Sequence, residues 1–424
     1  MIKQANTHSK AKQKGAALLV FAIIVLTISS AVFLYSTNES VDTRLLNTHK
    51  TQLALSEAKK TLEQISLTFT PNPFNPNPSN PTSILVRNEI GRLPFPDNRL
   101  DGAYDGLADC QNPGIPVANP DSFLGRFPWL GTQNCSPEIN INQDLKDANG
   151  EQLWYAVSPN MVENIANAGF SPAFLNNSPP RPNWLSIYNA DGTLISDRIA
   201  FIVFSAGVQI AGQRRLNTHP RNFLDAVTVP GLGSINNYDN DLIFVKGPRT
   251  ETFNDQLSYM TIDELMPKLE RRVLLELKSL LNQYRIDHDF YPLPASLGTT
   301  DCDILLKNGG GGFIATTNLL TAPCNPSLLP VPTYLESWLP YVIYEPRRDC
   351  NQTLQSGCNN LAAGLTLNNQ TNIDFILLST GFNSPVDAAD RTEYLEDAIN
   401  QIPDQTFVTP AVNPTIFQDQ LIYR

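Results

Sequence analysis

The sequence predicts an α+β chain: one long N-terminal transmembrane helix followed by two tandem heads, each a helix packed on an antiparallel sheet. Three observations lead there. The stretch from Ala16 to Ser36 carries no charge. Two later segments space their apolar residues at helical intervals, and each is followed by short β-branched and aromatic runs. Five short motifs recur in the same order in two parts of the chain.

The first element is the uncharged run. Its 21 residues, at ~1.5 Å per helical residue, suffice for a hydrocarbon layer of ~30 Å. Lys3, Lys10, Lys12 and Lys14 precede it, and the first charges after it are Glu39 and Asp42. The positive-inside bias therefore keeps residues 1–14 cytoplasmic and places the body beyond the inner membrane, as a single-pass protein with a periplasmic C-terminal part. Helix-compatible sequence without Pro or Gly continues to about Ser66, with Val41, Leu45, Leu55, Ala58, Leu62 and Ile65 near one face.

The boundary Lys14-Gly15-Ala16, followed by an apolar run that passes directly into a polar helix, resembles a type IV prepilin leader. That family includes the pseudopilins of type II secretion. The resemblance implies cleavage between Gly15 and Ala16 by a prepilin peptidase, methylation of the new amino terminus, and a helix that packs with those of other pilin-like subunits. It also implies that the body could be carried to the cell surface in a filament. Most members carry Glu at the fifth mature position, where this chain has Val20; some minor, tip-located subunits also lack it. A plain signal anchor, with Gly15 incidental, is the alternative.

Composition narrows the functional classes. The chain has 424 residues and a formal net charge of −11, and its first fifteen residues hold four Lys and no acid, so the remainder is more acidic still. An acidic body lacks the basic stripe that nucleic acid requires, so no nucleic-acid partner is expected. With 33 Pro and 23 Gly it reads as loop-rich and sheet-containing. Cys110, Cys135, Cys302, Cys324, Cys350 and Cys358 all follow the apolar run, and their even number favours disulfides. Fifteen pairings are possible and the sequence does not choose among them; the pairing favoured here is of sequence neighbours, Cys110–Cys135, Cys302–Cys324 and Cys350–Cys358, each closing a short loop within one domain. No CxxC pair and no His cluster suggests zinc.

Five regions follow: a leader at 1–15, the helix at 16–66, a Pro/Asn-rich connector at 67–84, a first head at 85–260 and a second at 261–424. The recurrences support the last division. GRLPFPD (91–97) returns as DFYPLPA (289–295), EQLWYAVSP (151–159) loosely as SWLPYVIYEP (337–346), and RIAFIVFSAG (198–207) as NIDFILLSTG (372–381). NFLDAV (222–227) returns as EYLEDAI (393–399), and TFNDQLSYM (252–260) as TIFQDQLIYR (415–424). Collinear matches with drifting offsets suggest an internal duplication. IAFIVFS and IDFILLS suit central strands, with LWYAVS and LPYVIY beside them. The second helix starts at Thr261-Ile262-Asp263-Glu264, a capping-box pattern. Leu269, Val273, Leu277, Leu280, Leu281 and Tyr284 form its apolar stripe, with Glu270, Arg271, Lys278 and Arg285 outside. The segment 273–295, with Asp287, Tyr291 and Pro292 after the helix, again resembles pilins, so the heads are expected to be pilin-like.

Candidate chemistry is sparse. Asp97, Asp101, Asp105 and Asp109 stand at four-residue spacing with Gly102 and Gly106 between them, oxygen ligands of the kind Ca²⁺ uses, although the spacing misses the EF-hand pattern. NGGGGF (308–313) lacks the Lys-Ser/Thr of a phosphate loop, and there is no nucleophile elbow and no HExxH. Trp129, Trp154, Trp184 and Trp338 could form a sugar platform but more commonly pack in cores. The expected role is a non-enzymatic minor subunit for the assembly or tip of a type IV pilus or pseudopilus. A non-polymerising periplasmic binding protein or adhesin, and an anchored hydrolase, are the alternatives.

Overall fold

The computed structural model describes residues 10–68, 90–98, 104–109, 123–131, 141–162, 183–215, 219–239, 241–297, 312–315, 329, 331–347, 365–380, 400, 406–407 and 420–423. Helix α1 is Lys10–Leu67, 58 residues, uninterrupted from Ala16 onward by any Pro or Gly. Eight strands follow: β1 (Leu124–Arg126), β2 (Trp154–Val157), β3 (Leu185–Asn189), β4 (Leu194–Ser205), β5 (Ala226–Val229), β6 (Gly233–Asn236), β7 (Ile243–Lys246) and β8 (Gln256–Thr261). Helix α2 is Ile262–His288, and β9 (Pro294–Ala295) and β10 (Gly312–Ile314) precede the one-turn helix α3 (Thr333–Glu336). The chain then forms β11 (Val342–Pro346), β12 (Leu365–Leu367), β13 (Gln370–Ile373), β14 (Phe375–Ser379), β15 (Thr406–Phe407) and β16 (Gln420–Tyr423).

In the larger sheet the order is β1-β2-β4-β3-β7, with β8 on β4 as well. Because β2 takes residues 201–204 of β4 and β8 takes 199–205, the two must lie on opposite edges of that strand. This is why the all-apolar half of β4, Ile199 to Phe204, is buried throughout: a strand covered on both edges and both faces needs no polar alternation. The second sheet runs β16-β14-β11-β10-β9, and β14 holds the same internal place in it. Smaller sheets pair β5 with β6, and β12 with β13 and β15.

Corresponding pairings occur in the two large sheets. Tyr155 faces Val203, which faces Ser258; Tyr344 faces Leu377, which faces Ile422. Tyr155 donates its hydroxyl to Pro94 O at 3.1 Å, and Tyr344 donates to Pro292 O at 3.1 Å.

One core joins these parts. Leu55, Ala58 and Leu62 of α1, Val157 and Phe201 of the first sheet, Leu269 to Tyr284 of α2, and Val342, Tyr344 and Leu377 of the second sheet belong to a single buried cluster. Thr261 caps α2, its side chain accepting from Glu264 N at 3.0 Å, and Asp289 ends the helix in the left-handed region at φ 65°.

The expected fold class is corrected. Among the described residues no helix is long and apolar enough to cross a membrane. A crossing takes ~20 consecutive apolar residues, a length of apolar helix not found among the described residues. The transmembrane helix is therefore not supported, and neither are the single-pass inner-membrane placement and periplasmic body that rested on it. The body is strand-rich, with several sheets. It is not the expected pair of pilin-like heads, each with its own helix on an antiparallel sheet: β3 pairs with β7 and β12 with β15 in parallel, and α1 and α2 share one core with both large sheets.

Candidate functional site

Two places gather residues that could act: the N-terminal length of α1, and a buried polar network beside β8. In α1 the buried positions are Thr51, Leu55, Ala58, Thr61, Leu62 and Ser66, a three-and-four spacing that lays one helix face on the body. Polar contacts border this stripe. Lys59 pairs with Glu264 at 3.4 Å and Lys268 with Glu63 at 2.5 Å, both joining α1 to α2, while Thr61 Oγ1 bonds Gln143 Oε1 at 2.8 Å.

N-terminal to Thr51 every described side chain of α1 is exposed. Leu26 is 69% exposed, Leu45 64% and Leu46 61%, and Ile23, Ile24 and Val25 stand out beside them. Residues 10–50 amount to an arm of ~60 Å at 1.5 Å per residue. Leu45, expected on the packed stripe, thus lies beyond the body's edge. Gly15, Ala16, Val20 and Ser36 all fall within α1.

The second place is built by three turns meeting the approach to β8. Asp255 Oδ2 accepts from Asp225 N at 2.8 Å and from Asn237 Nδ2 at 3.0 Å. Asp225 in return accepts from Asn254 N at 2.7 Å and from Gln213 Nε2 at 2.8 Å. Asn237 also bridges Val245, accepting from its N–H at 2.8 Å and donating to its carbonyl at 3.1 Å. Arg215 donates to the carbonyls of Ala206 and Gly207 and to Gln213 Oε1, and pairs with Glu151 at 3.6 Å. Burial, and secondarily the charge of Asp225, push the Asp255 carboxyl well above the usual carboxylate range; burial likewise raises Asp225. Both are too buried, at 5% and 3% exposure, to meet a substrate from solvent.

Nearby, the Arg126 guanidinium lies 4.1 Å from the Trp154 ring centre and 4.4 Å from that of Phe223, and burial lowers its pKa to about 10. Trp154, Trp184 and Trp338 are buried, so they serve packing and form no surface platform.

Of the proposed calcium ligands, Asp101 lies outside the described residues. Asp97 Oδ2 accepts from Gly106 N at 2.7 Å, Asp109 Oδ2 from Asn98 N at 2.7 Å, and Asp105 Oδ1 from Leu107 N at 2.8 Å, so these carboxylates shape the loop backbone. Among the described residues no group of three or more His, Cys, Asp or Glu side chains is placed to hold a metal ion. Cys110, Cys135, Cys302, Cys324, Cys350 and Cys358 all lie outside the described residues, as does most of the connector.

The buried network was missed from sequence. Its signal was present: Asp225 sits inside Phe223-Leu224-Asp225-Ala226-Val227, and Asp255 two residues after Phe253 and two before Leu257, acids set in apolar context. Comparison with protein-family models, with curated proteins and with solved structures found no match to this chain.

Proposed function

We propose that this protein is a non-enzymatic structural subunit that assembles through the arm of α1, in the manner of the minor pilins and pseudopilins its amino terminus resembles. The observation that carries this reading is the division of α1: its last turns dock on the body, while its described earlier residues present Ile23 to Leu26, Leu45 and Leu46 to solvent. A long helix with exposed apolar residues gains stability by burying them against other helices, at ~25 cal/mol per Å² of apolar surface removed from water. The partners are the helices of like subunits, and cleavage between Gly15 and Ala16 by a prepilin peptidase would free the arm's amino terminus. Val20, in place of the Glu found in most such subunits, suits an end-located subunit.

The test is a photo-reactive amino acid at Leu46 of the full chain, expressed with the host's assembly machinery. Cross-linked oligomers through that position are expected, and Leu45→Glu should diminish them while leaving the body's melting temperature unchanged. A product that stays monomeric in every preparation would overturn the reading. Mass spectrometry of the amino terminus adds a second arm. Methylated Ala16, lost without the peptidase, is expected; an intact Met1 with the peptidase present would remove the family part of the proposal.

A further inference from the structure

Asp255 is 5% exposed, and its Oδ1 is buried without a hydrogen-bond partner, while Oδ2 takes two N–H donors. The neighbouring carboxylate, Asp225, is equally enclosed and receives one backbone and one side-chain amide. Neither carboxylate forms an ion pair within 4 Å among the described residues. Two adjacent buried carboxyls with amide donors but no contacting cation cannot both hold a full charge, since desolvation and mutual repulsion act in the same direction.

We propose that Asp225 and Asp255 form a proton-holding latch: the folded pair retains a proton at neutral pH, and its loss loosens Gln213, Asp225 and Asn237 from Asn254 and Asp255 at the approach to β8. The groups facing the pair support this. From the 206–215 loop comes Arg215, whose charge acts on both carboxyls but whose guanidinium is committed to two carbonyls, Gln213 and Glu151. From the 220–222 turn, Arg221 is exposed. Between β6 and β7, Asn237 donates to Asp255, whereas Asp239 accepts from Asn236 and Asp241 accepts from Ile243 N.

The sign follows from linkage. A carboxyl whose folded pKa lies above its unfolded value of ~3.9 stabilises the fold fully below that value, and the contribution is lost as pH rises toward the folded pKa. This runs opposite to ordinary acid denaturation. One retained proton corresponds to about a tenfold fall in the folding equilibrium constant per pH unit within that window.

The experiment compares thermal unfolding of the full chain, wild type against Asp255→Asn, from pH 4.5 to 8.5, with the infrared carbonyl band of protonated carboxyls recorded at pH 7. The variant is expected to melt above the wild type at pH 8, to lose that advantage at acid pH, and to lack a protonated-carboxyl band the wild type shows. A wild type without that band at pH 7, or a variant less stable at pH 8 than at pH 5 relative to wild type, overturns the proposal. Should Asp255→Asn fail to fold, Asp225→Asn and the wild-type infrared band carry the same decision.

Discussion

Gly106 has φ of +89°, and a Cβ placed there would meet Trp129 Nε1 at 2.3 Å. Gly106→Ala therefore combines left-handed strain of ~1–2 kcal/mol with overpacking of a further ~1–3, and should lower the denaturation midpoint at unchanged slope. The tyrosine pair offers a milder test. Tyr155→Phe and Tyr344→Phe each remove one buried hydroxyl bond to a proline carbonyl, and each should cost about 1–3 kcal/mol because the carbonyl is left unsatisfied. At this scale little was legible. A lone acid among apolar residues says that something satisfies it, but which partners do so depends on how separate turns meet, as those of Asn237 and Gln213 meet Asp255 and Asp225. The Asp97–Asp109 spacing likewise suggested a ligand set; what spacing does not show is that Asp97 and Asp109 bond backbone amides across the loop while Asp105 caps its own turn.

Helix α2 was read with more success because its determinants are local. Thr261 accepts from Glu264 N as the capping pattern requires, and Thr261→Ala should cost ~1 kcal/mol in urea unfolding. Leu269, Val273, Leu277, Leu281 and Tyr284 are buried as their spacing implies. Glu270, expected on the outer face, is 3% exposed. The reason is geometric: a helix meeting another helix on one side and sheets on the others buries a wider sector than one lying on a single sheet. The opposite error befell Leu45, where the apolar spacing continued past the last part of the body able to cover it. Periodicity marks a face but not where its cover ends. Strands β2, β4, β11 and β14 were legible from their apolar runs, and three of the five recurring motif pairs reach corresponding strands, β2 and β11, β4 and β14, β8 and β16. The parallel pairings of β3 with β7 and β12 with β15 left no such mark, because a crossover is a property of connection and not of composition.

For the whole molecule, the continuous core matters most. Leu62 of α1 and Leu377 of β14 belong to one buried cluster, so Leu62→Ala and Leu377→Ala, each worth ~2–5 kcal/mol, should shift the same unfolding transition. Two separate transitions, each moved by only one of the substitutions, would show instead that the two large sheets are independent. The exposed ion pairs between α1 and α2 contribute less: Lys59→Ala should cost no more than about 1 kcal/mol and matter less at high salt. The expectation of separate heads, each with its own core, failed here, since repetition of motifs is silent on whether cores merge.

The docking of α1 along its last turns also has a mechanical meaning. A load applied along the arm runs parallel to the helix axis and reaches the body through Thr51, Leu55, Ala58, Leu62 and Ser66 together. Such a joint is strained in shear, with its contacts giving way collectively, and not peeled open one at a time. A body joined this way meets such a load across the whole helix seam instead of at a single contact.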